Sequence, residues 1–308
     1  MSITEKNMPA NNKPLYPVKK YGLVLEGGAM RGLFSAGILD CFLEEKIALQ
    51  GIAGVSAGAA FSCNYKSGQA GRVLRYNKRF CRDPRYCSFR SWWKTGDLFG
   101  AEFCYHTLPE TLDPFDAEAY NNSPVQFFLV CTDVHTGKAH YQECPAANAE
   151  CYEWMRASAS MPLVSRIVPV GGGEYLDGAI ADSIPLRFME EKGYEKNIVI
   201  LTQPAGYRKK PSRSLLLLRL ALRKYPALLK AMENRHRVYN ETLAYVEEQA
   251  SKGKVLILRP ENPLPIRRIC HDPDKLRFVY DTGKALAYKH LEEIRSFLNT
   301  PPRCFGSR

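Results

Sequence analysis

YGLVLEGGAMRGLFSAGILDCF, residues 21–42, is the stretch that decides the fold class of this chain. Residues 21–25 form a short apolar run that ends at a glycine pair, which is typical of a buried parallel strand leading into a turn. From residue 32 to about residue 46 the apolar side chains recur at helical spacing, and the acidic side chains fall on the other face. The stretch therefore predicts a strand, a tight turn and an amphipathic helix.

The next residues repeat this order. Residues 51–55 are a short apolar run, Ser56 follows directly, and small residues open a second helix. Further buried strands are predicted at 125–131, 174–178, 197–201 and 255–258, and a hairpin or edge partner at 138–143. Helices are predicted at 150–160 and 184–192. Residues 81–115 show no clear period, which favours an irregular insertion with at most a short helix.

The pattern changes after Gly206. Leucines and alanines alternate with cations over residues 212–232, interrupted at Pro226, and two further helical stripes cover residues 239–250 and 276–298. We therefore expect a flexible segment at 1–19, an α/β core at 20–205, and a mostly helical region at 206–308 that packs on this core.

The composition is that of a soluble globular protein. Of the 308 residues, 45% are hydrophobic and 24% are charged, which excludes disordered, collagen-like and coiled-coil classes. The net charge of +11 favours an anionic partner, either a membrane surface, a nucleic acid or an acidic ligand. The ten cysteines contain no C-x-x-C pair, so we expect reduced thiols and neither a zinc site nor a disulfide framework. No signal peptide or membrane-spanning stretch is visible, so a cytoplasmic location is expected.

Gly54-Val55-Ser56-Ala57-Gly58 matches the Gly-x-Ser-x-Gly elbow, between a predicted strand and a predicted helix. Small residues on both sides of the serine allow a sharp turn that lifts its hydroxyl above the sheet at a helix N-terminus. A glycine-rich turn with an incidental serine explains this motif equally well when it is taken alone.

The loop from Gly27 to Gly32 follows the first strand and can present backbone N–H groups to an anion. A dinucleotide phosphate fits poorly, because Ala29 replaces the middle glycine and no acidic residue follows the second strand. The oxyanion of an acyl-transfer intermediate fits better, since neighbouring strands deliver this loop and Ser56 to one edge of the sheet.

A serine nucleophile needs a base. Asp177 ends a predicted strand and is expected at the same sheet edge as Ser56, although an aspartate that only begins an Asp-Gly turn explains it as well. A Ser-Asp-His triad is also formally possible with one of three later histidines, His236, His271 or His290, none of which the sequence singles out.

The blocks EGGAMRG (26–32), GVSAG (54–58) and DGA (177–179), in this order, resemble the signature of the patatin-like phospholipases. Residues 157–162, ASASMP, resemble the small-residue helix end that precedes the aspartate in that family. The resemblance covers about residues 20–205. It implies an α/β fold with a three-layer α/β/α sandwich, a mostly parallel central sheet and, here, a helical C-terminal extension.

The resemblance also implies roles for single residues. Ser56 becomes the nucleophile and Asp177 its only partner in a catalytic dyad, without any histidine, metal or cofactor. The remaining assignments are the oxyanion hole (Gly27, Gly28, Ala29), loop support or headgroup binding (Arg31, Gly32), the elbow (Gly54, Gly58) and the aspartate turn (Gly178, Ala179). The chain departs from the family pattern at Glu26, where Asp is common, and at Ala29, where a third glycine is usual. Ala29 suits the hole if its φ is negative.

Residues 212–232 combine leucines with arginines and lysines. They fit an interfacial helix that contacts lipid phosphates, or equally a buried helix that caps the active site. The arginines and aromatic residues between 79 and 93 accompany no nucleic-acid motif, so no nucleic-acid partner is expected. A substrate-cleft wall or lid is the better interpretation of that region.

Together these features predict a lipid acyl hydrolase, of the phospholipase A or lysophospholipase type, that acts through Ser56, Asp177 and an acyl-enzyme intermediate. Its substrate is a lipid ester, and peripheral contact with the inner face of a membrane is expected through residues 212–232. The alternatives are a Ser-His-Asp esterase of the α/β-hydrolase type and a catalytically silent, membrane-associated binding protein.

Overall fold

The computed structural model describes residues 20–299, so the predicted flexible segment at 1–19 lies outside the described residues. Its centre is an eight-stranded sheet in the order β5-β6-β3-β2-β1-β7-β8, with β4 paired to β3. The strands are β1 (Tyr21–Leu25), β2 (Gly51–Val55), β3 (Gln126–Asp133), β4 (Ala139–Glu143), β5 (Val168–Val170), β6 (Gly173–Asp177), β7 (Lys196–Ile200) and β8 (Val255–Leu258). The strands β1, β2, β3, β7 and β8 pair in parallel, whereas the pairs β3–β4, β3–β6 and β5–β6 are antiparallel.

Helices cover both faces of this sheet. They are α1 (Gly32–Glu44), α2 (Ala57–Lys66), α3 (Arg72–Phe80), α4 (Phe89–Thr95), α5 (Ala117–Asn122), α6 (Ala149–Ser158), α7 (Leu186–Glu191), α8 (Leu215–Ala221), α9 (Pro226–Ser251), α10 (Pro273–Lys289) and α11 (Leu291–Asn299). Alternate residues of one strand point to opposite faces: Leu23 and Leu25 pack with α1, α2 and α10, whereas Val24 packs with α7 and α9. The predicted three-layer α/β/α architecture is confirmed.

The ends of β2 and β6 meet on one edge of β3. β2 pairs with β3 up to Val55, opposite Val130. β6 pairs with the following residues of β3 and ends at Asp177, opposite Cys131. Since β4 occupies the other edge of β3 at these positions, β2 and β6 share an edge. Ser56 directly follows β2, so the fold brings Ser56 and Asp177 to the same point.

The C-terminal part of the chain contributes to the same sheet and core. β8 extends the sheet beside β7, and α10 packs across α1. At this crossing a Cβ on Gly37 would lie 2.1 Å from the carbonyl oxygen of Tyr280, and a Cβ on Gly283 would lie 1.9 Å from that of Phe34. The two helices therefore contact each other through their backbones.

The interruption expected at Pro226 is present: α8 ends at Ala221 and Pro226 is the first residue of α9. A proline fits the first turn of a helix, where its missing N–H is not needed. Two other local predictions need correction. The last apolar stripe belongs to two helices, which separate at His290. The insertion at 81–115 is more ordered than expected, with α4 and a π-helix at Phe103–Leu112. Within residues 20–299, no helix has the length and apolar character needed to span a bilayer.

Candidate active site

Ser56 lies in a strained turn between β2 and α2. Its φ of 56° and ψ of −124° are rare for a residue with a side chain and cost about 1–3 kcal/mol. The flanking glycines make the turn possible: a Cβ on Gly54 would lie 2.6 Å from the Cα of Ala59, and one on Gly58 would lie 2.8 Å from the carbonyl oxygen of Leu25. The geometry is that of an elbow that presents the serine hydroxyl.

Ser158, at the end of α6, fixes the backbone of this elbow. Its hydroxyl accepts a hydrogen bond from the Ser56 N–H at 3.0 Å and donates one to the Val130 carbonyl at 2.7 Å. The neighbouring Ser160 carbonyl accepts the N–H of Asp177 at 2.8 Å. The small residues at 157–162 thus hold both Ser56 and Asp177, a role that the sequence analysis did not assign to them.

Asp177 is buried, with 1% of its surface exposed. Its Oδ1 accepts the N–H of Ala179 at 2.8 Å, and its carbonyl accepts the hydroxyl of Thr132 at 2.9 Å. Gly178 has no room for a side chain, because a Cβ there would lie 2.1 Å from the Val130 carbonyl oxygen. Sterics therefore require the glycine of the Asp-Gly-Ala block, and hydrogen bonds hold its aspartate.

Burial raises the pKa of Asp177 above its usual value. The Ala179 hydrogen bond, the charge of Arg235, a hydrogen bond from the Ser56 hydroxyl and the charge of Arg268 oppose this rise in turn. A raised pKa makes the carboxylate a stronger base than an exposed aspartate. The Ser56 hydroxyl is thus one of the groups that act on the Asp177 carboxyl group.

The loop at Gly27, Gly28 and Ala29 lies against the elbow. A Cβ on Gly27 would lie 2.8 Å from the Cβ of Ser56. In the part of the chain that the structure describes, none of these three N–H groups donates a hydrogen bond to the protein. They are therefore free to bind an oxyanion beside Ser56. Gly32, the first residue of α1, allows this helix to pack on α2, since a Cβ there would lie 3.0 Å from that of Ala57.

The backbone of Ala29 does not have the negative φ that was expected of an alanine in the oxyanion hole. Its φ is +49°. Ala29 thus has the left-handed conformation that suits a glycine, and this conformation strains a residue with a Cβ.

Replacing Ala29 with glycine is expected to stabilise the protein. The left-handed conformation costs a residue with a Cβ about 1–2 kcal/mol, and glycine loses about 0.4–1 kcal/mol through greater freedom of the unfolded chain. We expect a net gain of about 0.5–1 kcal/mol in the free energy of unfolding, measured in urea. Ala244→Gly on the exposed face of α9 is the control. This variant should lower the free energy of unfolding by about the amount that Ala29→Gly raises it. Equal losses in both variants would contradict the strain at Ala29.

Glu26 connects this loop to distant parts of the chain. Its carboxylate accepts the N–H of Thr202 at 2.7 Å and the hydroxyl of Tyr239 at 2.8 Å. Tyr239 lies on α9, so the longer side chain of Glu26, compared with aspartate, spans from β1 to that helix. Arg31 follows in the same loop, and its Nε is buried without a hydrogen-bond partner.

A cavity of about 160 Å³ opens beside Ser56. Its wall is largely apolar and aromatic and includes residues of α2, α6 and the 81–115 insertion, among them Phe61, Tyr86, Phe99, Leu108 and Met155. No histidine of the described residues lines it. His271 contacts the carbonyl of Cys81, and His290 bonds to Glu293. The cavity fits an acyl chain better than a polar substrate.

Comparison with known proteins places the chain in a family of lipid hydrolases. The family model for the patatin-like phospholipases matches residues 23–189. The chain belongs to the patatin-like phospholipase family. A second family model, for a domain of unknown function, matches residues 225–299.

Several known proteins are similar to this chain. The uncharacterized protein YjjU of Escherichia coli (strain K12) is 26% identical over 94% of this chain and 82% of its own length. Lysophospholipase NTE1 of Candida glabrata is 27% identical over 56% of this chain, which spans only 10% of that protein. Among solved structures, VipD from Legionella pneumophila is 12% identical, with a TM-score of 0.45 over 90% of this chain and 67% of its own. Membership in the family implies hydrolysis of a lipid ester.

Proposed function

We propose that the chain is a serine lipid acyl hydrolase in which Ser56 and Asp177 form a catalytic dyad. The observation that carries this proposal is the meeting of the strained Ser56 with the buried Asp177, beside free backbone N–H groups and an apolar cavity. The catalytic groups belong to residues 20–205. In the described residues no histidine lines the cavity, which favours the dyad over a triad.

The reaction proceeds in two stages. Asp177 accepts the proton of Ser56 while the serine oxygen attacks the ester carbonyl, and the N–H groups of Gly27, Gly28 and Ala29 stabilise the oxyanion. Asp177 then returns the proton to the leaving alcohol, which departs and leaves an acyl-Ser56 enzyme. Water then attacks this acyl ester while Asp177 accepts its proton, and Asp177 passes that proton to the departing Ser56 oxygen. The fatty acid is released, and both residues return to their starting state.

The substrate follows from the cavity and from the relatives. The apolar wall beside Ser56 accommodates the acyl chain, and several relatives are named lysophospholipases. A phospholipase A or lysophospholipase activity fits both observations.

The test is to incubate the protein with a mixed lipid extract and follow released fatty acids by mass spectrometry. We expect fatty acids and the matching deacylated lipids to accumulate together. A protein that binds lipid without releasing any fatty acid would instead be a catalytically silent binding protein.

A membrane surface is proposed for peripheral docking, in the cytoplasm at the inner face of the membrane. We define the docking surface as the exposed residues Phe89 and Trp93 of α4 and Leu216, Leu217 and Leu220 of α8, whose exposure ranges from 60% to 84%. The loop at 161–167 lies between the two helices: its Leu163 carbonyl accepts the Trp92 indole N–H at 3.0 Å, and its Met161 and Ile167 pack with α8.

Exposed cations flank these apolar residues, namely Arg90, Lys94, Arg213, Arg219, Arg223 and Lys224. Apolar side chains surrounded by cations suit the boundary between anionic headgroups and acyl chains. Leu218 of α8 and Leu222 just after it are buried, whereas Leu216, Leu217 and Leu220 are exposed. The helix is therefore not buried on all sides.

The double variant Leu217→Glu/Leu220→Glu is expected to weaken binding to anionic vesicles. One buried leucine contributes about 1.5–3 kcal/mol, so sedimentation with vesicles should show a loss of affinity of at least about tenfold. Phe278→Glu is the matched control, because Phe278 is 57% exposed but lies on α10, outside the docking surface. Equal vesicle binding by the wild type and the double variant would remove α8 from the surface.

A further inference from the structure

Four cationic side chains gather next to the candidate active site. They are Arg31 in the loop after β1, Lys209 in the segment before α8, Arg235 on α9 and Arg268 before α10. The charges of Arg235 and Arg268 both act on Asp177, and those of Arg31, Arg235 and Arg268 all act on Lys209. The backbone is joined here as well, since the Met30 N–H donates to the Arg268 carbonyl at 3.4 Å. Residues beyond 205 therefore supply three of the four charges.

These cations have no carboxylate partner. Among residues 20–299, none of the four forms an ion pair with an Asp or Glu. Glu26 and Asp177 are the two carboxylates whose charges act within the group. Glu26 is already bonded to Thr202 and Tyr239, and Asp177 to Ala179. The cluster thus carries an excess of positive charge that the protein itself does not neutralise.

Some donors of these cations have no acceptor in the protein. The Arg31 Nε is buried without a hydrogen-bond partner among the described residues. Arg235 uses its Nε to bind the Ala179 carbonyl at 2.6 Å, and no other hydrogen bond from its guanidinium appears in the described chain. The Lys209 ammonium lies 4.1 Å from the centre of the Tyr239 ring. Burial and the neighbouring cations lower the pKa of Lys209 to about 7. Arg31, Lys209 and Arg235 are half-buried and Arg268 is exposed. Like charges at such positions repel one another, and an anion that binds between them relieves this repulsion.

We propose that Arg31, Lys209, Arg235 and Arg268 form a binding site for a phosphate group, which the headgroup of the substrate lipid supplies. Guanidinium and ammonium groups are the side chains that best bind phosphate oxygens. None of the four lines the apolar cavity beside Ser56. The acyl chain therefore enters the cavity, the phosphate binds the cluster, and the scissile ester lies between them at Ser56. This assignment of the substrate class rests on the proposed function.

The test compares two substrates with the same acyl chain, a lysophospholipid and a monoacylglycerol that lacks phosphate. Above the raised pKa of Asp177, loss of the Arg268 charge no longer changes the protonation of that base. At such a pH, kcat/KM of Lys209→Gln and Arg268→Gln should fall at least about tenfold for the lysophospholipid and less than about twofold for the monoacylglycerol. Arg267→Gln is the matched control: it removes the same charge from a neighbouring exposed residue and should leave both rates unchanged. Equal losses on the two substrates, or none, would overturn the headgroup assignment.

Inorganic phosphate separates the headgroup from free phosphate as the source of the anion. In calorimetry, Ser56→Ala should bind inorganic phosphate, and Ser56→Ala/Arg268→Gln should bind it at least about tenfold more weakly. Phosphate that competes only with the lysophospholipid supports the headgroup site. Phosphate that changes both rates supports a site for free phosphate and overturns the headgroup. No phosphate binding overturns the site itself. Phosphate binding without hydrolysis of either ester refutes only the proposed function.

Discussion

Replacing Ser56 with alanine is expected to lower kcat for lipid ester hydrolysis by at least about 10⁴-fold, as removal of a nucleophile does in other serine hydrolases. The acyl-enzyme cannot form without the serine oxygen, and the free N–H groups beside it then stabilise only a slow attack by water. A fluorophosphonate probe should label the wild-type protein and fail to label Ser56→Ala.

Ser62→Ala is the matched control for this experiment. Ser62 lies on α2, and its hydroxyl donates to the Gly58 carbonyl at 2.6 Å, so it belongs to the same helix without facing the cavity. This variant should retain probe labelling. If Ser56→Ala is labelled as strongly as the wild type, Ser56 is not the nucleophile and the proposed mechanism fails.

Asp177→Asn should lose activity by at least about 10⁴-fold and at the same time unfold less readily. The folded protein raises the pKa of this carboxyl, so between its usual value and the raised one the folded state binds more protons than the unfolded state. The free energy of unfolding therefore falls as pH rises through that window, and the loss is complete above it. The asparagine variant avoids this loss, which urea unfolding at neutral pH measures.

Asp182→Asn separates the two effects. Burial raises the pKa of Asp182 as well. Its Oδ2 accepts the hydroxyl of Tyr141 at 2.9 Å, and neither residue lines the cavity beside Ser56. This control should retain activity.

In the wild type, kcat/KM should fall as pH falls through the raised pKa of Asp177. Arg235→Gln removes a charge that lowers this pKa, so the fall should move to higher pH, and Arg235→Lys should restore it. If kcat/KM falls at the same acidic pH in the wild type and in Arg235→Gln, Asp177 is not the base.

The local part of the fold and site could be predicted because short patterns determine it. A five-residue apolar run, a glycine turn and a helical stripe specify β1, its loop and α1 without reference to the rest of the chain. The elbow at Ser56 is equally local, since only small residues at Gly54 and Gly58 avoid the contacts that the turn creates. The Asp-Gly-Ala turn follows the same logic.

The remaining parts depend on contacts between residues far apart in the sequence. Tyr239 reaches Glu26 across 213 positions, and no pattern near either residue indicates the pair. Ser158 supports Ser56 over 102 positions, and only the family resemblance drew attention to its segment. The positive φ of Ala29 could not be predicted either, because a residue with a Cβ usually avoids this conformation. Lys209 and Arg268 lie in segments that show neither helical nor strand periodicity. Only the folded chain therefore shows that their charges act on the same residues.

The touching backbones of α1 and α10 set a limit on protein engineering. Gly37 and Gly283 leave no space for a methyl group on either helix, so a chimaera that joins the first half of this chain to a foreign C-terminal half needs a glycine at the matching site. A donor with alanine there would push the two helices apart and shift the loop that α1 carries at its N-terminal end, which is the loop that faces Ser56.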